Sequence, residues 1–348
     1  MPFVPLVLFV ITFVAMEFTE LIDLASEKLG GAVLFANDDF FAPKENLLKA
    51  SAPVWREGEY TDRGKWMDGW ESRRRRTPGF DWCIIRLGLP GIVRGVTVDT
   101  SYFRGNYPEH CSLEGATFDD LPTVEELTAE SVKWIPLLPQ MPLAGDSQNH
   151  FPIRYDERIT HLRFNIYPDG GVARLRVYGI VSPDWDRLKR SGGSIDLAAA
   201  ENGALVISCS DMFFGHRHNM IMPGRAANMS DGWETKRRRG PGHDWSIIQL
   251  ARPGLIQSVE VDTSHFKGNF PDSCSLETYH ATDTGADADL SDLSVAWTSL
   301  LPRTKLHAHT RHYFDRELLD TDVASHIRFN IYPDGGVSRL RVYGKLVD

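Results

Sequence analysis

The sequence predicts an all-β protein built from two tandem copies of one antiparallel β-sandwich. Three observations carry that expectation. The first is internal repetition: DGWESRRRRTPGFDW at 68–82 returns as DGWETKRRRGPGHDW at 231–245 with eleven of fifteen positions identical, and a repeat of this length is read first because it sets the architecture. The second is period two. After Asp169-Gly170-Gly171 the apolar Ala173, Leu175 and Val177 alternate with Arg174, Arg176 and Tyr178, as in a strand with one buried face. The third is the scarcity of helical periodicity, which is confined to 17–29, about 123–131 and 195–201. Short strands separated by Gly/Pro turns, with one face buried, build a sandwich in each copy.

Taken in order, residues 1–15 form an N-terminal extension. Phe3 to Ala15 is almost wholly apolar but short for a membrane span, and no Lys or Arg precedes Lys28 to make the basic start of a secretion signal. Translation from Met16 and cleavage as a signal are the two readings left open. The first repeat runs over 16–180 and the second over 195–348. Ile22-Asp23-Leu24-Ala25 recurs as Ile195-Asp196-Leu197-Ala198, and Trp134 as Trp297. Asp99-Thr100-Ser101-Tyr102-Phe103-Arg104-Gly105-Asn106 returns as Asp262-Thr263-Ser264-His265-Phe266-Lys267-Gly268-Asn269. The closing segment at 163–179 returns at 328–344 with one change in seventeen. Residues 181–194, with Pro183 and the run Ser191-Gly192-Gly193-Ser194, read as a linker. Within a copy, Cys83–Leu87 and Ile92–Val98 read as two strands parted by a hairpin-like break at Leu89-Pro90-Gly91.

Composition narrows the function. The 348 residues, 42% hydrophobic and 24% charged, suffice for two cores. A formal charge of −9 argues against a phosphate-neutralising nucleic-acid binder. The four cysteines, Cys83, Cys111, Cys209 and Cys274, form neither a disulfide framework nor a CxxC zinc site, since Cys83 stands opposite Ser246. Reduced thiols in a cytosolic protein are the simplest account. No Gly-x-Ser-x-Gly, phosphate loop or matched Cys/His pair is present, so no covalent nucleophile is expected.

The closing Arg-Leu-Arg-Val-Tyr-Gly strand, with the sandwich pattern, is similar to the jelly roll of galactose-binding-type domains. The longer strings, Asp-Gly-Trp-Glu with its cation run, Pro-Gly-His-Asp-Trp, Asp-Thr-Ser-His-Phe-Lys-Gly-Asn and Asn-Ile-Tyr-Pro-Asp-Gly-Gly, together resemble the allantoicase family of purine (ureide) breakdown. The resemblance covers nearly the whole chain from Met16 on. It implies two jelly-roll repeats and a hydrolase of linear amidines that turns allantoate into ureidoglycolate and urea.

Allantoate is a small carboxylate with two ureido groups on one carbon, and a planar guanidinium holds a carboxylate through two parallel hydrogen bonds. In an extended run Arg73 and Arg75 face one way and Arg74 and Arg76 the other; Lys236 with Arg238 and Arg237 with Arg239 alternate likewise. The candidate substrate-binding cations are Arg237, Arg238, Lys236, Arg74 and Arg75, against the plain alternative of a face neutralised by Glu71, Asp81 and their counterparts. The leaving urea needs a proton and the attacking water needs a base. Glu234, Asp244, His243 and Glu71 are the candidates, whereas Asp68 and Asp231 read as turn formers. Asn269, Asn106 and His265 are candidates for the ureido groups.

The copies differ in histidine: His243 stands opposite Phe80 and His265 opposite Tyr102, so the copies are expected not to be two equal active sites. Trp70, Trp82, Trp233 and Trp245 read as core or pocket walls, with a sugar-stacking platform as the sharper alternative. No cofactor is expected. A divalent metal on His216-x-His218 with His243 and Asp244, or on His307-x-His309 with His312, has no recognised spacing behind it. The expected partner is allantoate, with neither nucleic acid nor membrane, in a homo-oligomer. The rival readings are a non-catalytic tandem sandwich binding a glycan or protein, and a related enzyme acting on ureidoglycolate.

Overall fold

A computed structural model describes residues 17–190, 193–281, 290 and 295–347; the extension at 1–15 lies outside them. The described residues divide into two compact units, Phe18–Trp185 and a second that begins at Asp186. Each described unit is an all-β jelly-roll sandwich with one eight-stranded antiparallel sheet folded into two layers.

In the first unit the strand order is Ile22–Asp23, Arg174–Val181, Asp81–Asp99, Ile159–Tyr167, His110–Ala116, Ile135–Pro142, with Ala32–Ala36 and Gln148–Pro152 also pairing to the long strand. The second unit repeats it as Ile195–Asp196, Arg339–Leu346, Asp244–Asp262, Ala324–Tyr332, Ser273–Tyr279, Thr298–Lys305, with Leu205–Cys209 and Arg311–Phe314 on the long strand.

The break expected at Leu89-Pro90-Gly91 is absent. Asp81–Asp99 is one strand of 19 residues. Its first half pairs with Ile159–Tyr167 and its second half with Arg174–Val181, and Gly91 is the position where both ladders meet. Proline removes a donor but leaves a carbonyl, and the Pro90 carbonyl accepts from Ser182 N instead. The Gly/Pro signal therefore marks a bend between layers rather than a turn. Arg252-Pro253-Gly254 does the same inside Asp244–Asp262.

The helical expectation at 17–29 also gives way. That stretch is two 3₁₀ turns, Phe18–Glu20 and Glu27–Leu29, around the two-residue strand Ile22–Asp23. The Asp23 carboxylate takes the amides of Ala25 and Val177 at 3.3 and 2.9 Å, which ties the segment to the sheet instead of to itself. The linker contains a short helix, Trp185–Arg190. Short helices do occur at Val124–Thr128 and Ala200–Asn202.

The core is the apolar face of each long strand. Ile85, Val96, Val98, Leu162, Phe164 and Ile166 are buried in the first unit, and Ile248, Val259, Val261, Ile327, Phe329 and Ile331 in the second. Trp70 and Trp233 close one end of these cores with no exposed surface. Their indole N–H groups donate to the carbonyls of Asp38 and Asp211, both at 2.8 Å, so an apolar body is buried without stranding its polar atom. These two tryptophans are core, as the sequence suggested; Trp82 and Trp245 are half-buried beneath Arg163 and Arg328.

Candidate active site

The polar repeat is assembled around one turn. In the second unit, Asp334-Gly335-Gly336 follows Ala324–Tyr332 and receives two loops, 235–243 and 263–272. Arg238 N donates to the Asp334 carboxylate at 2.8 Å. Thr235 N donates to the Gly335 carbonyl, Asp244 N to that of Pro333, and Gly336 N to that of Asn269. The turn at 167–171 does the same in the first unit, with Arg75 N on Asp169 at 2.9 Å and Gly171 N on the Asn106 carbonyl. Gly335 sits at φ +137°, and a β-carbon there would lie 2.7 Å from the Asn269 carbonyl oxygen, so only glycine lets the two loops close. This hub brings the cation run, Asp244, Glu234 and Asn269 to one end of the sandwich.

Within the run the alternation is realised. Arg73 pairs with Asp38 at 2.6 Å and Arg75 with the buried Asp81 at 2.5 Å; Lys236 pairs with Asp211 at 3.3 Å and Arg238 with the buried Asp244. Asn37 and Ser210 supply a further donor to Asp81 and Asp244, each at 3.0 Å. Arg74, Arg76, Arg237 and Arg239 are exposed and, among the described residues, have no carboxylate partner. Thus Arg75, Arg238 and Lys236 are engaged by the protein, and the guanidinium groups open to a ligand are the alternate ones.

The acids separate in the same way. Asp81 and Asp244 are the run's internal counter-ions. Glu71 and Glu234 do not neutralise the arginines: each accepts from an amide, Asn106 Nδ2 at 2.7 Å and Asn269 Nδ2 at 2.5 Å. Burial pushes the Glu71 carboxyl above the usual carboxylate range, and the Asn106 bond only partly offsets it. Asp68 is buried against Arg174 at 2.7 Å, and Asp231 caps its own loop by accepting from Ala227 N. Both are structural.

His243 and Asp244 are neighbours on an extended segment and point to opposite sides. His243 Nε2 lies 3.3 Å from Asn330 Oδ1, and its ring lies 4.6 Å from that of Tyr332, tilted by 35°. Asn330 donates to Ser275 Oγ at 3.2 Å and to Glu277 at 3.0 Å, so its oxygen faces the imidazole and makes Nε2 the donor. Burial pushes His243 below the ordinary imidazole range despite the raising effect of that bond. In the first unit Phe80 takes this place against Tyr167, and Asn165 Oδ1 is left buried without a partner. His265 Nε2 reaches the Ala226 carbonyl at 2.9 Å and its ring lies beside His309. The His216 and His218 rings lie 4.9 Å apart, tilted by 58°. Among the described residues no group of three or more His, Cys, Asp or Glu side chains is placed to hold a metal ion, and no helix is long and apolar enough to cross a membrane.

Sequence reasoning missed Asp38 and Asp211, Asp169 and Asp334, and the Asn165/Asn330 pair. Their signal was present, because each pair stands at matching positions of the two copies. It also missed an insertion. The offset between copies is 173 at Ile22/Ile195 and 163 at Asp68/Asp231, so the first copy has ten more residues between them. They include the hairpin Tyr60–Thr61/Gly64–Lys65. Arg63 from this hairpin binds the Phe40 carbonyl at 3.1 Å, and its guanidinium covers the Phe40 ring, which Arg73 also covers. Trp55 stacks on Tyr102. In the second unit the corresponding Phe213 and Phe214 are exposed by 71% and 62%.

Comparison with known proteins agrees with this duplicated frame. The family model described as Allantoicase repeat matches residues 22–182 and 195–347. The allantoicase of Dictyostelium discoideum is 50% identical over 331 residues, covering 95% of this chain and 88% of that protein. A probable allantoicase of Burkholderia mallei is 48% identical over 333 residues, covering 95% and 97%. The crystal structure of allantoicase from Saccharomyces cerevisiae superposes with a TM-score of 0.79 at 34% identity, covering 94% of this chain and 96% of that one. With the repeat matched twice and relatives near half identical along almost its full length, the chain belongs to the allantoicase family.

Proposed function

We infer that this chain is a hydrolase that adds water across a C–N bond of allantoate, giving ureidoglycolate and urea, and we place the chemistry at the cation loop beside Glu234. The supporting observation is the division of labour in the run. Every second cation is already neutralised by the protein, while the intervening Arg237 and Arg239 are exposed, and Glu234 at the head of the same loop is held only by an amide.

Arg237 and Arg239 supply the guanidinium face for the substrate carboxylate. Asn269 fixes one oxygen of Glu234 and leaves the other for a proton. Glu234 takes a proton from water as the oxygen bonds to the central carbon, and returns it to the urea nitrogen as the C–N bond breaks, so one carboxylate closes the proton balance. Asp244 keeps Arg238 in place and the loop extended. His243, bonded to Asn330 on the other side of the strand, and His265, bonded to Ala226, support the loops around this site.

The first repeat has the same set in Glu71, Asn106, Arg74 and Arg76, but its rim bears the 60–65 hairpin. We therefore assign turnover chiefly to the second repeat. The free thiols fit a cytosolic protein; homo-oligomerisation is a separate expectation, which sedimentation of the purified chain checks.

The decisive experiment is urea release from allantoate by the purified chain, with and without added divalent ions or a chelator. Release supports the reading. No release under any of these conditions, with a sugar bound instead, would leave a tandem binding module; faster turnover of ureidoglycolate would make it the related enzyme. Arg237→Ala should raise KM more than Arg74→Ala, whereas equal effects would mean two equal sites.

A further inference from the structure

The two repeats hold one turn with different chemistry. In the first, Tyr102 lies at φ +69° and its amide donates to the Asp146 carboxylate at 2.8 Å. Asp146 also takes the Arg104 side chain at 3.0 Å. Three positions beyond Asp146, Asn149 accepts from Ala144 N at 2.9 Å and donates to the Val98 carbonyl at 3.1 Å. The Asn149 amide does not titrate, and the Tyr102 amide, with Arg104, holds the Asp146 carboxyl below the usual carboxylate range, so neither acceptor changes charge between pH 5 and 8.

The second repeat makes the same bonds with imidazoles. His265 lies at φ +70°, and its amide donates to His309 Nδ1 at 2.7 Å. His309 has the backbone of Asp146, with φ +50° in both. His312 stands in for Asn149: His307 N donates to its Nε2 at 2.9 Å, and its Nδ1 lies 3.1 Å from the Val261 carbonyl. A backbone amide donates only to an unprotonated ring nitrogen, so His309 must be neutral, and His312 must be the neutral tautomer with its proton on Nδ1. Protonating either ring removes an acceptor and sets two N–H groups against each other.

The groups around these rings sharpen the contrast. The His265 ring lies 5.8 Å from that of His309, and Lys267 replaces Arg104 on the turn. His312 is stacked 5.9 Å from His307, near Asp262. Asp262 is itself committed to Ser264 N at 2.8 Å and to Arg225, and the flanking Arg311 is committed to Glu260 at 2.7 Å. Burial holds His312 below the ordinary imidazole range, as a neutral acceptor requires.

The held turn leads into the site. One residue past His265, the Phe266 ring is fully buried against Gly336; a β-carbon on Gly336 would lie 1.9 Å from it. Three residues further, Asn269 accepts from Gly336 N and donates to Glu234. We propose that His309 and His312 are positioning residues that hold the turn at 262–269, and through it Asn269 against Glu234, only while their rings are neutral. The second repeat is then acid-sensitive in a way the first is not. The effect on turnover rests on the functional reading above; the hydrogen-bond exchange does not.

The test has two readouts on the full chain: amide hydrogen exchange at His265 and His307, corrected for intrinsic exchange, and the pH profile of urea release between pH 5 and 8. Protection of both amides should fall at least tenfold as the pH drops through the imidazole range, while Tyr102 and Ala144 keep theirs. His309→Asp with His312→Asn should retain protection and move the acid limb of kcat/KM down by about one pH unit, the shift a tenfold change in proton affinity produces. The reverse transplant, Asp146→His, should make the Tyr102 amide acid-labile and covers the case in which the double variant does not fold. Protection at His265 and His307 that does not vary with pH, or an acid limb identical in the native chain and the double variant, overturns the proposal. A native chain that releases no urea at any pH removes the functional reading, and the exchange data then decide this one alone.

Discussion

The difference between Glu234 and Asp244 lies in what each touches. Asp244 is 1% exposed and paired with Arg238, so removing that guanidinium strands a buried charge. Arg238→Ala is expected to lower unfolding free energy by about 3 kcal/mol, the low end for a broken buried pair because Arg238 is itself half-buried; chemical denaturation measures it. Arg237 has no such partner, so Arg237→Ala should change stability by less than about 0.5 kcal/mol and act on KM. Glu234→Gln keeps the acceptor for Asn269 and loses the proton carrier, so kcat should fall about 10²–10⁴-fold with stability retained. His243→Phe copies Phe80 and leaves Asn330 Oδ1 as Asn165 Oδ1 already is, buried and unpartnered. It should cost about 1–2 kcal/mol and leave turnover within a few-fold; a kcat loss as deep as that of Glu234→Gln would return the proton transfer to His243.

At the scale of elements, two arginines of the closing strands act as clamps. Arg174 binds the carbonyls of Ser51, Asp68 and Ala173 together with the Asp68 carboxylate. Arg339 binds the carbonyls of Asn219, Gly224, Asp231 and Ser338. The sequence pattern placed both on the wet face of a period-two strand, yet they are 1% and 4% exposed. The alternation was right about side, but the face is covered by loops at 51–68 and 219–231, which local pattern does not reveal. Replacing either with Met orphans several buried carbonyls and should cost about 3 kcal/mol or more. Arg174→Met should be the worse of the two, since it also abandons a buried carboxylate; equal melting temperatures for the two variants would contradict this.

At the scale of the whole molecule, duplication doubles two buried titrations of opposite sign. His161 and His326 are pushed down to about 4 by burial. The unfolded chain protonates them first, so the stability they contribute is complete above pH 6.5 and is lost as pH falls toward 4. Asp23 and Asp196 are pushed up to about 6, again by burial. They favour the folded state most below about pH 4, and that contribution is lost as pH rises through 6. The two slopes offset each other between pH 4 and 6. Asp23→Asn with Asp196→Asn keeps the acceptors for Val177 and Val342 while removing one slope, so its melting temperature should fall more steeply from pH 6.5 to 4.5 than that of the native chain; parallel curves would refute the assignment.

The amino-acid sequence by itself determined the duplication, the β class and the composition of the rim, because these reside in local period, turn residues and exact repetition. It also determined that alternate cations of the run face apart. Only the tertiary structure decided how the run is held, since Asp38 and Asp211 come from 35 and 25 residues away to neutralise Arg73 and Lys236, and Asp169 and Asp334 come from 94 and 96 residues away to take the amides of Arg75 and Arg238. It likewise decided that Leu89-Pro90-Gly91 bends a continuous strand, because the second ladder beginning there comes from Arg174–Val181. Partners this distant are chosen by how the layers pack, and a window of neighbouring residues holds no information about that choice.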